Sequence, residues 1–309
     1  MELSTPEPVF PLGRWFAEAP LLGFRQGYRV RRELYQTRSP YQSIQVIETD
    51  LLGATLILEG AIQTSSVDEH IYHEMLVLPA LGALEAPRSV LIVGGGDGGA
   101  LRRVLAHRSV ERAVQVELDR AVVDVCLAYL PEISAGAFDD PRAELVIGDG
   151  ARYLAETDER FDAILVDSTD PIGPAEALFS EAFYRAAFRA LADDGIFVTQ
   201  SGSPLLMGAE LGRAARRLRS VFPVAKPYLA SIPSYPGVLW SFLAATKGWD
   251  PATIPPAAIA RRLEGIITRY YTPAVHQAAF SLPADLARGL ASEQDDAVGL
   301  LPVATAISR

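Results

Sequence analysis

Carboxylates recur where this chain leaves its apolar runs. Asp97 sits inside Gly94-Gly95-Gly96-Asp97-Gly98-Gly99, and Glu117, Asp149, Asp167 and Asp170 follow at the ends of later runs. Carboxylates bind cations and accept protons, so a set of them facing one space suits a positively charged small substrate. Whether they share a space depends on the elements that carry them.

Residues 89–93, 113–116, 144–147 and 161–166 are short apolar runs, each followed by a glycine or an acid. Helical stretches cover 101–107, 120–130 and 181–191. This alternation predicts an α/β fold, a parallel sheet with crossover helices on both faces. In such open sheets ligands bind beyond the carboxyl ends of the strands, at the topological switch point. The five acids are therefore expected in one crevice.

Ahead of that unit, residues 41–49 and 54–58 are strand-like, with Gly53 and Glu59-Gly60 as turns. A small β-rich domain over 1–78 is expected to precede the α/β domain over 79–291. Residues 70–78 read as a helix at the boundary and 79–87 as the link to the first strand. A helix over 210–221 and strands within 228–246 extend the larger domain, and 292–309 reads as a loose tail.

At 309 residues and 49% hydrophobic content the chain can bury a full core. A formal net charge of −10 disfavours nucleic-acid and anionic-membrane partners and is compatible with a cationic substrate. The single cysteine, Cys126, excludes a disulfide framework, which points to a reducing cytoplasm. The first residues carry acids and prolines where a secretion signal has a basic region and an apolar run. The uncharged stretch 227–246 contains three prolines and reads as strands and turns, not a membrane span.

Gly94-x-Gly96-x-x-Gly99 matches the nucleotide-binding fingerprint, in which absent side chains let the backbone turn tightly and approach a ligand at a helix amino terminus. Glu117, about 20 residues on, is placed to accept hydrogen bonds from ribose hydroxyls. Asp97 separates the candidate ligands. A dinucleotide puts a pyrophosphate at this loop, where a carboxylate repels it. S-adenosylmethionine brings an amino group that Asp97 attracts and a carboxylate that it repels. The decarboxylated form, whose three-carbon arm ends in a bare ammonium, suits it best. The alternative is that Asp97 caps the helix beginning near Gly98. Asp149, between Gly148 and Gly150, can accept from an adenine amino group or serve as a turn residue. Asp167-Ser168-Thr169-Asp170-Pro171 follows an almost unbroken apolar strand, where a carboxylate is partly desolvated and suits a base or a cation anchor. Either acid could instead cap the following turn.

Together these residues resemble the polyamine aminopropyltransferases, most closely the spermidine synthases. The resemblance rests on residues 94–99, Val116-Glu117-Leu118-Asp119, residues 167–176 and Ile71-Tyr72-His73-Glu74-Met75. Tyr41-Gln42, residues 60–64, Ile232-Pro233-Ser234-Tyr235-Pro236 and residues 269–276 extend it over roughly residues 15–290. It implies a Rossmann-like methyltransferase-type domain behind a small β domain. It also implies aminopropyl transfer from decarboxylated S-adenosylmethionine, a co-substrate, to putrescine, with no resident cofactor or metal and a homodimer or homotetramer. Carried over by position, Gln42, Gly94, Gly96, Glu117, Asp149, Gly150 and Pro174 hold the nucleoside. Asp97 holds the aminopropyl ammonium, and Asp167 accepts the proton. Tyr72, His73, Ser168, Thr169, Asp170, Gln200 and Tyr235 line the amine pocket, with Trp15 near its entrance.

The chain also departs from the family pattern. Ser65-Ser66-Val67-Asp68-Glu69-His70 replaces a run that usually carries an arginine and an aromatic, and Gly202 stands where many relatives have a glutamate. Asp97, where the agmatine and triamine branches often have Glu, favours a diamine. The other acceptors to weigh are cadaverine, agmatine and spermidine. The rival readings are a methyltransferase, which Asp97 opposes, and a nucleoside-binding protein without turnover. His70-x-x-His73-Glu74 puts two imidazoles on one helical face, but no other histidine lies nearby in sequence to complete a metal site.

Overall fold

The computed structural model describes residues 13–20, 23–170, 173–292 and Val298, so nearly all of the expected tail over 292–309 lies outside the described residues. Strands β1 (Arg14–Glu18), β2 (Gln26–Arg38), β3 (Ser43–Thr49), β4 (Gly53–Leu58) and β5 (Ala61–Ser65) pair in chain order as one antiparallel sheet. Glu59 and Gly60, both at positive φ, close the β4–β5 hairpin with the backbone twist that two-residue loops require. The sequence pattern foretold β3 and β4 but not β1, β2 or β5. In β2, two register irregularities break the alternation, and its arginines pair outward, Arg29 and Arg31 with Asp50 and Arg32 with Glu48.

Helix α1 (Glu69–Leu81) follows and is buried on nearly every side. It runs past Pro79, which the sequence reading took as its end. Proline has no N–H for the carbonyl four residues back, and the Tyr228 hydroxyl donates to that Met75 carbonyl at 2.7 Å. A tertiary hydrogen bond thus substitutes for the missing helical one.

The second unit runs β6 (Ser89–Gly94), α2 (Gly99–Leu105), β7 (Arg112–Glu117), α3 (Arg120–Tyr129), α4 (Pro131–Ser134), β8 (Ala143–Ile147), α5 (Gly150–Glu156), β9 (Phe161–Asp167), α6 (Glu181–Ala190), β10 (Leu191–Gln200), α7 (Gly208–Arg219), β11 (Val224–Ser231) and β12 (Leu239–Thr246). Its seven strands lie in the order β11-β12-β10-β9-β6-β7-β8, the last five parallel and β12 antiparallel to both of its neighbours, β10 and β11. Alternate strand residues serve opposite faces. Val90, Ile92, Ala163 and Leu165 pack with α1 and α2, whereas Leu91, Val93, Ile164 and Val166 pack with α6 and α7. Uniformly apolar strands follow from burial on both faces. The expected strands and helices stand, each within a few residues of its predicted bounds.

From β6 the chain proceeds outward to β7 and β8, then returns to β9 on the other side. The switch point therefore lies between β6 and β9, where Gly94 is paired with Asp167. Ile44, Val46, Leu56 and Leu58 of the first sheet pack on Val122, Val125 and Leu130 of the α3–α4 region, which brings the β2–β3 turn close to the end of β7. No helix among the described residues is long and apolar enough to cross a membrane.

Candidate active site

The glycine loop is shaped by what approaches it. Gly94 has φ +87°, and a Cβ there would overlap the Asp167 carbonyl, to which Gly95 N–H donates at 2.8 Å. A Cβ on Gly99 would fall inside the His73 imidazole, and one on Gly96 would press on Val122 and Glu117. These absences bring β9, α1 and β7 onto one turn.

Four charged side chains form a line behind that turn. Arg102 donates to Glu69 Oε1 at 2.7 Å, Glu69 Oε2 lies 2.7 Å from His73 Nδ1, and His73 Nε2 lies 3.4 Å from Asp97 Oδ1. Burial pulls the His73 pKa down, but Asp97 and Glu69 outweigh it and raise it to about 10, so the ring is an imidazolium. Burial likewise raises Glu69, yet His73 and Arg102 bring it to about 2. Asp97 also accepts from Gly99 N–H at 2.8 Å, so it caps α2 as well as facing His73.

Asp167 lies beside them, and its Oδ2 is shielded from solvent with no hydrogen-bond partner among the described residues. Burial, with Asp97 adding to it, raises its pKa to about 6, while His73 and the Tyr72 hydroxyl pull it down. Ligand atoms of His73, Asp97 and Asp167 lie within 4.8 Å of one another, close enough for a divalent ion. An imidazolium that faces carboxylates through both nitrogens has no lone pair for a metal. The His70-His73-Glu74 grouping does not converge, because Glu74 instead accepts from the backbone N–H groups of Arg269, Tyr270 and Tyr271.

The other switch-point strands carry a second group. Glu117 is buried at the end of β7, accepts from Asp119 N–H at 2.9 Å, and is raised to about 7 by burial and then by Asp119 and Asp167. Asp119 Oδ2 accepts from Gln42 Nε2 at 3.1 Å and Ser39 Oγ at 2.6 Å, which ties the β2–β3 turn to this edge. Asp149 is the N-cap of α5, its Oδ1 accepting from Ala151 and Arg152 N–H. Gly150 packs on Val93. Pro174 belongs to a 3-10 helix, Gly173–Phe179, and its side chain lies outside the described residues.

A cleft open to solvent lies between the two sheets, reaching Ser168, the residue after Asp167. Tyr72, Ser168, Thr169, Asp170, Gln200 and Tyr235 all line it. Tyr72 and Tyr235 meet edge to face at 5.6 Å, and the Tyr235 hydroxyl donates to the Gln63 carbonyl at 2.7 Å. Gln200 spends its amide on the loop, donating to the carbonyls of Ser168 and Thr169 and accepting from Gly202 N–H. Asp170 is raised to about 6 by burial, with Gln200 opposing. Trp15 is not among the lining residues, but Glu18, three positions along β1, is.

Sequence reasoning missed several contributors. Glu69 was legible as an acid one helical turn before His73. Asp68, which accepts from Ser234 N–H at 2.7 Å, and Gln26 and Tyr28, which bond the carbonyls of 233–235, pin the turn carrying Tyr235. These and Glu18 depend on the approach of the two sheets and leave no local signal.

Residues 69–253 match the family model described as spermine/spermidine synthase domain, and residues 14–66 match the one described as spermidine synthase tetramerisation domain. A polyamine aminopropyltransferase of Desulforudis audaxviator is 48% identical over 273 residues, covering 88% of this chain and 98% of its own. A crystal structure of spermidine synthase in complex with the transition state analogue AdoDATO superposes with a TM-score of 0.86 at 37% identity, covering 94% of this chain and 98% of that one. Spermidine synthase from Thermotoga maritima gives the same TM-score and identity, covering 91% and 95%.

Proposed function

The chain belongs to the spermine/spermidine synthase family of polyamine aminopropyltransferases, and we propose that it transfers the aminopropyl group of decarboxylated S-adenosylmethionine to putrescine, giving spermidine and 5′-methylthioadenosine. The observation that carries this reading is the convergence of Asp97 and Asp167 at the switch point, beside Tyr72 and an aromatic cleft whose lining, among the described residues, holds no lysine, arginine or histidine. Such a site favours an ammonium that brings its own N–H donors over any anion.

In this reading Glu117 accepts from the ribose hydroxyls, and Gln42, Asp149, Gly150 and Pro174 surround the base, with Gly94 and Gly96 allowing close approach. Asp97 holds the aminopropyl ammonium. His73 is a positioning residue, holding Asp97 in place without touching the amine. Putrescine arrives with both nitrogens protonated, and an ammonium has no lone pair. Asp167 takes a proton from the near nitrogen, and a carboxylate raised to about 6 is a stronger base than an ordinary one. Tyr72 orients that nitrogen, while Asp170 secures the amine and Ser168, Thr169, Gln200 and Tyr235 shape the cleft. The freed lone pair then attacks the carbon next to sulfur as the carbon–sulfur bond breaks. Its electron pair stays on sulfur, which leaves as a neutral thioether, so the step needs neither a general acid nor a metal.

The match of residues 14–66 to a tetramerisation domain supports a homodimer or homotetramer, and the reducing environment implied by the lone cysteine favours the cytoplasm. Purified protein supplied with decarboxylated S-adenosylmethionine is tested against putrescine, cadaverine, agmatine and spermidine, following methylthioadenosine. Putrescine is expected to give the highest kcat/KM. A higher value with any other amine reassigns the acceptor.

A further inference from the structure

The turn between β11 and β12 carries Tyr235 into the cleft, and β12 then carries Trp240, whose ring lies 4.5 Å from that of Tyr235. The turn closes at Val238, which has φ +64° and directly follows Gly237 at φ +76°. Leu239 N–H donates to the Gly237 carbonyl at 2.6 Å, so Val238 is the centre of a three-residue turn. A β-branched residue is an outlier at positive φ, where glycine sits without steric cost. The Val238 side chain is 43% exposed, so its own packing is not what holds it there. Strain of this kind persists only where the surroundings impose it.

The surroundings come from the amino-terminal sheet. Gln26 of β2 uses both ends of its amide. Its Nε2 donates to the Tyr235 carbonyl at 3.1 Å and lies 3.3 Å from the carbonyls of Pro233 and Ser234, while its Oε1 accepts from Gly237 N–H at 3.2 Å. Within the turn, Tyr28 and Asp68 bond only residues 233 and 234. We propose that Gln26 is a positioning residue of the acceptor cleft, its amide bridging the two limbs of the strained turn and so fixing the wall formed by Tyr235 and Trp240. This rests on the aminopropyltransferase reading above and goes beyond it by assigning the shape of that wall to a residue of the other sheet. Without Gln26 the turn relaxes to relieve Val238. An acceptor then binds only the fraction of molecules that still hold the turn, and its apparent affinity falls by that fraction. Glycine at position 238 removes the strain that drives the relaxation.

The test compares wild type, Gln26→Ala, Val238→Gly and the double variant in transfer to 1,4-diaminobutane. Gln26→Ala is expected to raise the acceptor KM about tenfold, the scale set by one strained backbone position, with donor KM and saturating kcat near wild type. Val238→Gly alone is expected to leave all three near wild type. In the double variant it is expected to bring the acceptor KM back to within about threefold of wild type. Gln26→Glu, which keeps an acceptor for Gly237 N–H and loses the donor, is expected to show the same rise and serves if the alanine variant folds poorly. An unchanged acceptor KM in these variants, an equal rise in donor KM, or no rescue by glycine overturns the proposal. Amide hydrogen exchange over 232–239 follows the same turn without turnover: protection is expected to fall in Gln26→Ala and to recover in the double variant, and unchanged protection overturns the proposal. Wild-type protein that transfers to no amine overturns the functional reading, and exchange then decides whether Gln26 holds the turn.

Discussion

Replacing Asp167 with asparagine keeps the size of the side chain and removes the proposed base. The carboxylate faces Asp97 and Tyr72 with Oδ2 shielded, and its pKa of about 6 leaves it mostly ionised at neutral pH. General-base catalysis contributes about 10²–10⁴ in rate, or roughly 3–5 kcal/mol of barrier, so kcat for Asp167→Asn is expected to fall by that factor. Donor affinity is expected to hold within severalfold, because Glu117 and Asp149 lie on β7 and at the start of α5. Methylthioadenosine release at saturating substrates measures kcat, and calorimetric titration of decarboxylated S-adenosylmethionine measures donor binding. The pH profile adds a second check. Wild-type kcat is expected to fall as pH drops through about 6, and the variant is expected to lack that limb. Asp170 and Glu117 titrate nearby, and the proposed function gives them binding roles, so their protonation is expected in KM. A variant that keeps a tenth or more of wild-type kcat, or that suffers only in KM, refutes the assignment of Asp167 as the base.

Tyr228→Phe strands the Met75 carbonyl and is expected to cost about 1–3 kcal/mol in urea unfolding. In a Pro79→Ala background, where the helix supplies its own donor, the cost is expected to shrink, and equal costs in both backgrounds contradict the substitution of one bond for the other. Gly99→Ala drives a methyl into the His73 ring, so a loss of about 1–3 kcal/mol or more is expected, and an unchanged unfolding midpoint contradicts the packing described. The stability of free protein is expected to fall as pH rises from about 4 to about 7. Glu18, Glu117, Asp167 and Asp170 are raised in the folded state, so the unfolded chain ionises first and gains the advantage. Glu69, lowered to about 2, loses its stabilising contribution as pH falls below about 4.5, and His73, raised to about 10, begins to lose its own above about 6.5, which adds to the fall at the upper end. Urea midpoints at pH 5 and pH 7 check this, and a higher midpoint at pH 7 contradicts it.

The α/β unit was legible because strands buried on both faces read as apolar runs, and each run ends in a residue whose type marks a turn or a ligand. The exception is β10, where Asp193-Asp194-Gly195 interrupts the run and the register shifts between Leu191 and Ile196. β2 was not legible because its exposed face is charged and its alternation is broken by irregularities. Pro79 misplaced the end of α1, since the tyrosine that satisfies Met75 lies 153 positions away. In the site, the acids on strand ends were read as sharing one crevice; Asp97 and Asp167 meet beside His73 and Glu117 lies near Asp167, whereas the contacts of Asp149 are those of a helix cap. His73 was placed at the amine, yet its neighbours Glu69 and Asp97 occupy both nitrogens. Glu18 had no reading at all, because a single acid gains meaning only when a second sheet brings it to the cleft.

The most direct test is methylthioadenosine release from decarboxylated S-adenosylmethionine by the purified wild-type protein, with and without putrescine. Release that depends on putrescine and yields spermidine in equal amount is the predicted result. Tight donor binding with no release in the presence of any amine contradicts the account, and leaves a nucleoside-binding protein whose acids bind a donor and transfer nothing.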